Sequence, residues 1–315
     1  MASRVGLVVD ASCDLPEDFV RQHRIEILPV SIRLGDDQLI DQRSEQAALA
    51  FYRSQIGDKA HDAESVPYTT EQINALFLER LVSEFDFVFC QTVMRSRSPI
   101  FENATKASFS ILSQYHEPRR AAGVQGPFAL RVINTGTLFA GQGVLAAETV
   151  RMIADGMDPN DIRKRIETLV NCTRAYAIPT DLYYLRARAR LKGDRSVSLL
   201  SAALGSALDI KPILCGYGDE TKPVDKVRGF EPAARKLFAY AVRKIEQGLM
   251  APYLSVSFAG EMKDLRALPG YDQLSAACQE AGVELLASVM SVTAGVNMGP
   301  GALSLGLIAQ PHTFH

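Results

Sequence analysis

The hydrophobic pattern of the chain opens on a run with no polar alternation. Residues 5–9 read Val-Gly-Leu-Val-Val, and four of these five are apolar. Such a run predicts a strand buried on both faces, as at the centre of a parallel sheet. It exits through Asp10-Ala-Ser12-Cys13-Asp14 into a helix over Leu15 to Gln22, with Ser12 or Asp14 placed to cap it and Pro16 in its first turn. Ile25 to Leu34 alternates like a strand, with Pro29 pointing to an edge or a bulge. A turn at Gly35 to Asp37 and a short return over Gln38 to Ile40 follow, then a helix from Ser44 to about Ile56. Ser65 to Thr69 leads into a helix from Thr70 to about Phe85. Asp86 to Gln91 is a second buried strand, with an exit loop Thr92 to Pro99 and a helix over Ile100 to Gln114. Glu117 to Phe128, with its prolines, glycines and paired arginines, reads as an exposed loop. Ala129 to Ile133 is the next strand and leads through Asn134-Thr-Gly-Thr137 into a helix from Leu138 to Ala154.

This repeated strand–helix order predicts a parallel sheet with right-handed crossovers. The second half has a different rhythm. Strands are expected at Arg174 to Ile178, Asp209 to Leu214, Thr221 to Arg228, Tyr253 to Phe258, Val283 to Met290 and Leu303 to Ala309. Helices are expected at Asp161 to Cys172, Leu182 to Arg190, Ser196 to Ala207, Glu231 to Gln247 and Lys263 to Glu280, and a glycine-rich turn at Gly295 to Gly301. The short link at Gly216-Tyr-Gly218 makes residues 210 and 224 a hairpin, hence a mixed sheet. The expected organisation is two α/β domains, residues 1–165 with a mostly parallel sheet and residues 166–315 with a mixed sheet.

Composition excludes several functions. The chain has 315 residues, room for about two domains of ordinary size. Its 34 basic and 36 acidic residues leave a net charge of −2, so bulk electrostatics points to neither nucleic acid nor an anionic membrane. No apolar run reaches the length of a transmembrane segment, and the start of the chain lacks a signal-peptide pattern. The five cysteines (13, 90, 172, 215 and 278) are far apart and read as reduced residues of a cytoplasmic protein.

Catalytic motifs are missing too. The chain has no GxxxxGK[ST] phosphate loop, no GxSxG elbow and no paired-ligand histidine spacing. Gly141-Gln-Gly143 falls inside a helix and lacks the third glycine of a dinucleotide fold. The expected strand ends carry hydroxyls and amides instead: Asp10 and Ser12, Gln91 and Thr92, Ser96 and Ser98, Asn134, Thr135 and Thr137. Ser65, Tyr68 and Thr69 precede a helix, and Asn297 lies in the glycine-rich turn. Ligands of open α/β sheets bind outside the carboxyl ends of the strands. Neutral donors gathered there suit a polar head group such as a carboxylate and transfer protons poorly; each also suits a helix cap.

The same residues carry a resemblance. Asp10-Ala-Ser-Cys-Asp-Leu-Pro16 looks like the "DSxxDLP" opening of the DegV family of bacterial fatty-acid-binding proteins. Val132 to Thr137 with Gly141-Gln-Gly143 resembles "VIDSxxxSxGxG", with Asn134 for Asp and Thr135 for Ser. Asp181 to Leu191 resembles "LxYLxxGGRI", with Arg188-Ala189 in place of the glycines. Ile210 to Leu214 matches "NIKPIL" after its first residue, Lys226 to Arg228 the basic triplet after it, and Gly295 to Ala302 "GxHTGPGALG" with Asn297 for histidine.

The resemblance implies a Rossmann-like first domain, a ligand channel between the domains, and a long-chain fatty acid as bound ligand with no cofactor and no metal. It implies that catalysis belongs to a partner, a soluble fatty acid kinase that forms the acyl-phosphate. Carried over by position, Ser65 matches the hydroxyl before the family's "QPS", and Ser98, or else Ser96, matches the serine of its "SSxLSGTYxSA" loop. Ser12, Thr92, Thr135 and Asn297 complete the candidate ligand-binding set, and Arg228 would face the kinase. Candidate channel walls are the apolar helices Ser196 to Ala207 and Leu138 to Ile153. Two other readings stay open. One is a small-molecule transferase or hydrolase with Asp10 or Asp14 as base, which a raised carboxyl pKa would favour. The other is a binder of a different amphipathic acid, with Arg95 or Arg97 reading an extra anionic group.

Overall fold

The structure, a computed structural model, describes residues 3–54, 63–181 and 209–314. Its first half builds β1 (Val5–Asp10), α1 (Glu17–Gln22), β2 (Glu26–Leu28), β3 (Val30–Leu34), β4 (Asp37–Asp41), α2 (Glu45–Arg53) and β5 (Ala63–Pro67). Next come α3 (Thr70–Leu76), which runs on as a π-turn over Phe77–Leu81, then β6 (Phe87–Thr92), α4 (Ile100–Ser110) and α5 (His116–Ala121). β7 (Ala129–Asn134), α6 (Ala140–Ala154) and α7 (Pro159–Val170) close this half. β1 is the buried central strand its sequence predicts. It pairs in parallel with β2 and β6, and β6 with β7, in the order β2-β1-β6-β7.

Four expectations change in this half. Ile25 to Leu34 is not one strand. Pro29, which has no N–H for a ladder, separates β2 from β3, and β3 turns away into a three-stranded antiparallel sheet, β4-β3-β5. Ser65 therefore lies within a strand rather than in a lead-in to a helix. The segment from Glu117 is an exposed loop only over residues 122–127: α5 forms over its first residues and buries Arg119. The helix expected through Gln114 ends at Ser110 and tightens into a 3-10 turn over Ile111–Ser113.

The second half contains β8 (Thr173–Ile178), β9 (Ile210–Tyr217), β10 (Glu220–Arg228), α8 (Phe230–Glu246), β11 (Tyr253–Phe258), α9 (Met262–Ala267), α10 (Tyr271–Glu280), β12 (Glu284–Val289), α11 (Val292–Met298) and β13 (Leu303–Ile308). They form a six-stranded sheet in the order β10-β9-β8-β13-β11-β12. β9 and β10 make the expected hairpin, and only β11 and β12 run parallel, so the sheet is mixed. The helix expected over Lys263 to Glu280 is two helices, because Pro269-Gly270 interrupts it and Gly270 takes φ 95°. The glycine-rich turn at Gly295 to Gly301 is mostly helix: α11 is capped by Ser291, whose hydroxyl accepts from the Ala294 N–H at 3.1 Å. The helices expected at Leu182 to Arg190 and Ser196 to Ala207 lie outside the described residues.

α6 lies between the two larger sheets. Its Val144, Leu145 and Ala147 pack with Leu7, Val9 and Ile133 of the parallel sheet and with Tyr253 and Ile308 of the mixed one. Two glycines make that approach possible. A Cβ on Gly143 would stand 2.2 Å from the Asp14 carbonyl oxygen, and one on Gly306 would stand 2.1 Å from that of Ala140. A Cβ on Gly141 would stand 2.9 Å from that of Ala175, so Gly141 and Gly143 serve close helix packing and not a phosphate turn. The expected domain boundary at residues 165 and 166 falls inside α7.

Candidate functional site

The carboxyl end of β1 turns inward. Asp10 accepts from the Ser12 N–H at 2.9 Å and the Ser12 hydroxyl at 2.5 Å. The Val93 N–H at 2.5 Å and Gln142 Nε2 at 3.2 Å complete its set. Neither Ser12 nor Asp14 caps α1. The N-cap is Pro16, with no side-chain cap. Asp14 instead accepts from Arg43 Nη1 at 3.2 Å, the Ser257 hydroxyl at 2.6 Å and the Ser291 N–H at 2.9 Å. Arg43 Nη2 donates to the carbonyls of Leu15 at 2.7 Å and Val289 at 3.2 Å, while Arg43 Nε is buried without a partner. Arg43 holds φ 66°, steadied by its N–H on Asp41. This buried pair joins the parallel sheet to β11 and the start of α11.

Burial raises the carboxyl pKa of Asp10, and the Ser12, Val93 and Gln142 donors oppose it. Burial likewise raises that of Asp14, against Arg43 and the serine donors. A raised pKa alone would favour a catalytic base. The geometry does not, because every group around these carboxylates donates to them, which is the environment of an acceptor held in place.

The candidate hydroxyls divide into engaged and unengaged. Ser12 is committed to Asp10, and Thr135 Oγ1 donates to the Thr92 carbonyl at 2.8 Å, tying the loop after β7 to the end of β6. Ser96 Oγ donates to the Asp219 carbonyl at 2.6 Å. The Asp219 carboxylate also takes Asn134 Nδ2 at 2.8 Å and Arg95 Nε at 3.1 Å, so the loop after β6 is tied to the hairpin turn of β9 and β10. Ser98 accepts from the Ile100 N–H at 3.3 Å and is half-buried at the start of α4. Asn297 sits in the last turn of α11, not in a turn, and its Nδ2 donates to the Thr293 carbonyl at 2.7 Å.

Ser65 is half-buried on β5, opposite Ile32 and in a strand that packs against α11. Asn103 Nδ2 on α4 donates to the Tyr68 carbonyl at 2.8 Å, which links the segment after Ser98 to the segment after Ser65. Thr92 is fully buried, and its hydroxyl has no partner. It shares a face of β6 with Val88 and Cys90, while Gln91 points the other way and bonds Thr149 on α6 at 2.7 Å. The apolar cluster on the Thr92 face reaches the mixed sheet: Met94 and Leu138 belong to it together with Ala175, Ala177, Met290 and Val296. Arg228 is exposed at the end of β10, an edge strand.

Sequence reading missed Arg43, Asp219, Ser257 and Ser291, whose partners lie far along the chain and leave no local pattern. Gln142 did carry a signal, a polar residue between two glycines in an apolar helix. The cysteines are unpaired, and burial pushes the thiols of Cys90, Cys215 and Cys278 up, the last two to about 11. No helix among the described residues is long and apolar enough to cross a membrane.

Comparison with known proteins places this geometry. A DegV domain-containing protein of Xanthomonas campestris pv. campestris is 54% identical over 311 residues, 99% of each chain. One of Caldanaerobacter subterraneus is 24% identical over 240 residues, 75% of this chain and 76% of that one. Among solved structures, a stearic acid-binding protein from Eubacterium ventriosum superposes with TM-score 0.76 at 18% identity, over 97% of this chain and 98% of that one. DegV from Bacillus subtilis superposes with TM-score 0.75 at 21% identity, over 98% and 100%. Both solved proteins are described as fatty acid-binding proteins. The model of the DegV family, whose members it describes as uncharacterised, matches residues 4–310, and with these likenesses the chain belongs to the DegV family.

Proposed function

We propose that this protein binds a long-chain fatty acid non-covalently and presents its carboxylate to a partner kinase that forms the acyl-phosphate. The carboxylate is held by hydroxyls, with Thr92, Ser65 and Ser98 as the direct contacts and Ser96 and Asn297 at the rim. Ser12 and Thr135 support the site through the bonds they already make. Arg228 lies on the face offered to the kinase, and the setting is the bacterial cytoplasm, where free thiols stay reduced.

The observation that carries this reading is the Thr92 hydroxyl. A buried hydroxyl without a partner costs about 1–3 kcal/mol, which a carboxylate at that point would recover as a charge-assisted bond. The apolar cluster on the same face supplies the environment an acyl chain needs. A chain of about 16 carbons gains on the order of 10 kcal/mol gross at roughly 0.8 kcal/mol per CH₂. Association removes several kcal/mol of that, so the head group has only to fix orientation. Neutral donors leave a carboxylate oxygen able to accept a phosphoryl group, which a bidentate arginine would tie down.

Native mass spectrometry of the purified protein, with lipid extraction, tests the reading. The expected result is a mass excess of one fatty acid per chain. A protein that purifies empty and takes up no fatty acid of any chain length offered refutes it.

A further inference from the structure

The face of the mixed sheet turned away from α6 carries titratable groups that fatty acid binding does not use. β8 alternates here. Ala175 and Ala177 belong to the cluster shared with the parallel sheet, and Tyr176 and Ile178 to the cluster under α8. Arg174 shares the Tyr176 face. It is 6% exposed, and its guanidinium stacks 4.2 Å from the ring centroid of Tyr217. Its Nη1 is buried with no hydrogen-bond partner among the described residues.

Around it stand further donors. The Tyr176 hydroxyl is 2.6 Å from that of Tyr240 on α8. Tyr240 in turn bonds His312 Nε2, and His312 Nδ1 lies 2.5 Å from the Gln310 carbonyl. Lys244 Nζ sits 5.7 Å from the Tyr240 ring centroid and gives one of its three protons to Gln247. Lys244 and His312 are half-buried, so the group reaches solvent on their side.

A buried guanidinium with an idle N–H is costly, and proteins carry such a group where a ligand completes it. The titration behaviour of the neighbours agrees. Burial lowers the pKa of Lys244, and Arg243 and Arg174 lower it further. Burial also lowers that of His312; the Gln310 carbonyl opposes this, and Arg174 and Lys244 add to it. Tyr176 and Tyr240 also face His312, and among the described residues no carboxylate is bonded to it.

We propose that Arg174, Lys244 and the Tyr240–His312 pair form a binding site for a tetrahedral oxyanion of the phosphate class. The donors come from β8, α8 and the segment after β13. A tetrahedral anion offers acceptor oxygens in several directions, which suits donors supplied by three separate elements. The anion's oxygens take the idle Arg174 N–H, a Lys244 proton and a hydroxyl or ring proton of the Tyr240–His312 pair. Free phosphate and a phosphate monoester share this chemistry.

The test is an NMR titration of the His312 ring in the full chain, in chloride and in inorganic phosphate at matched ionic strength. Phosphate is expected to shift the ring signals saturably, to move the His312 midpoint up towards the ordinary histidine value of about 6.5, and to raise Tm. Methyl phosphate in a parallel arm distinguishes the sources: an equal response identifies a monoester site, and a response to inorganic phosphate alone identifies a site for the free ion. Arg174→Met is expected to abolish the response. Lys244→Gln, at a half-buried helix position, is expected to weaken it about tenfold and serves if Arg174→Met does not fold. A His312 midpoint identical in the two salts, or a Lys244→Gln protein that responds like the parent, overturns the proposal.

Discussion

The two edges of the parallel sheet hold buried arginines in opposite states. At the amino edge, Arg119 uses every donor nitrogen. Nε reaches the Gly126 carbonyl at 3.1 Å, Nη1 those of Val82 and Phe85 at 2.6 Å, and Nη2 both Asp86 at 2.8 Å and the Gln125 carbonyl at 3.1 Å. Asp86 also takes Arg4, and the Arg4 bond, aided by Arg119 against burial, holds its carboxyl well below the usual carboxylate range. This edge is closed, and its polar groups serve the fold. At the carboxyl edge, Arg43 reaches across to Asp14 and the Val289 carbonyl but leaves Nε idle, and Thr92 Oγ1 at the end of β6 has no partner. A closed network marks structure. An incomplete one marks where a ligand finishes the work.

The largest effect expected from this contrast is at Asp14. Asp14→Ala strands the Arg43 charge in the core and is expected to cost about 3–5 kcal/mol, read as a lowered urea midpoint. Next is Arg119→Met, which unpairs four carbonyls and part of Asp86 and is expected to cost about 3 kcal/mol. If the protein still folds, its fatty acid stoichiometry by native mass spectrometry should be unchanged, since the proposed site is at the other edge; selective loss of ligand would break the comparison.

Thr92→Val separates the roles most sharply. It removes a hydroxyl that bonds nothing in the protein, so stability should move by less than about 0.5 kcal/mol. Fatty acid affinity should fall about tenfold, the equivalent of about 1.4 kcal/mol, in a displacement titration. A large stability loss with unaltered affinity would make Thr92 a core residue only.

The last prediction is the pH dependence at Asp86. Its folded pKa lies below the unfolded value of about 3.9, so its stabilisation is complete above that value and is lost as pH falls through the folded pKa. Urea midpoints measured from pH 7 downward should show this acid loss, and Asp86→Asn should blunt it.

Much of the fold was legible. The apolar run at Val5 to Val9 announced a central strand, and the hairpin at Gly216 to Gly218 announced a mixed sheet. Where reading failed, a tertiary contact had overridden a local signal. Pro29 does not bulge one strand but divides two sheets. The proline–arginine segment after Glu117 folds as α5 because Arg119 finds four carbonyls and a carboxylate to bond. The glycines of 295–301 read as a turn, yet Gly295 is needed inside α11, where a Cβ would stand 2.2 Å from the Tyr52 hydroxyl.

The site divides in the same way. By itself the amino-acid sequence determined that hydroxyls and amides gather at strand ends, since strand periodicity and the residues just after each run are local properties. The order of the family motifs was local as well. Which hydroxyls are committed and which are idle was decided only by the tertiary structure. Asp14 is bonded by residues 29, 243 and 277 positions away, and Asp219 by Asn134 from 85 positions away. Thr92 and Thr135 look alike in the sequence, yet one hydroxyl closes a turn and the other has no partner. Hydrogen-bond saturation depends on which donors and acceptors packing brings within about 3 Å, and no local pattern records that distance.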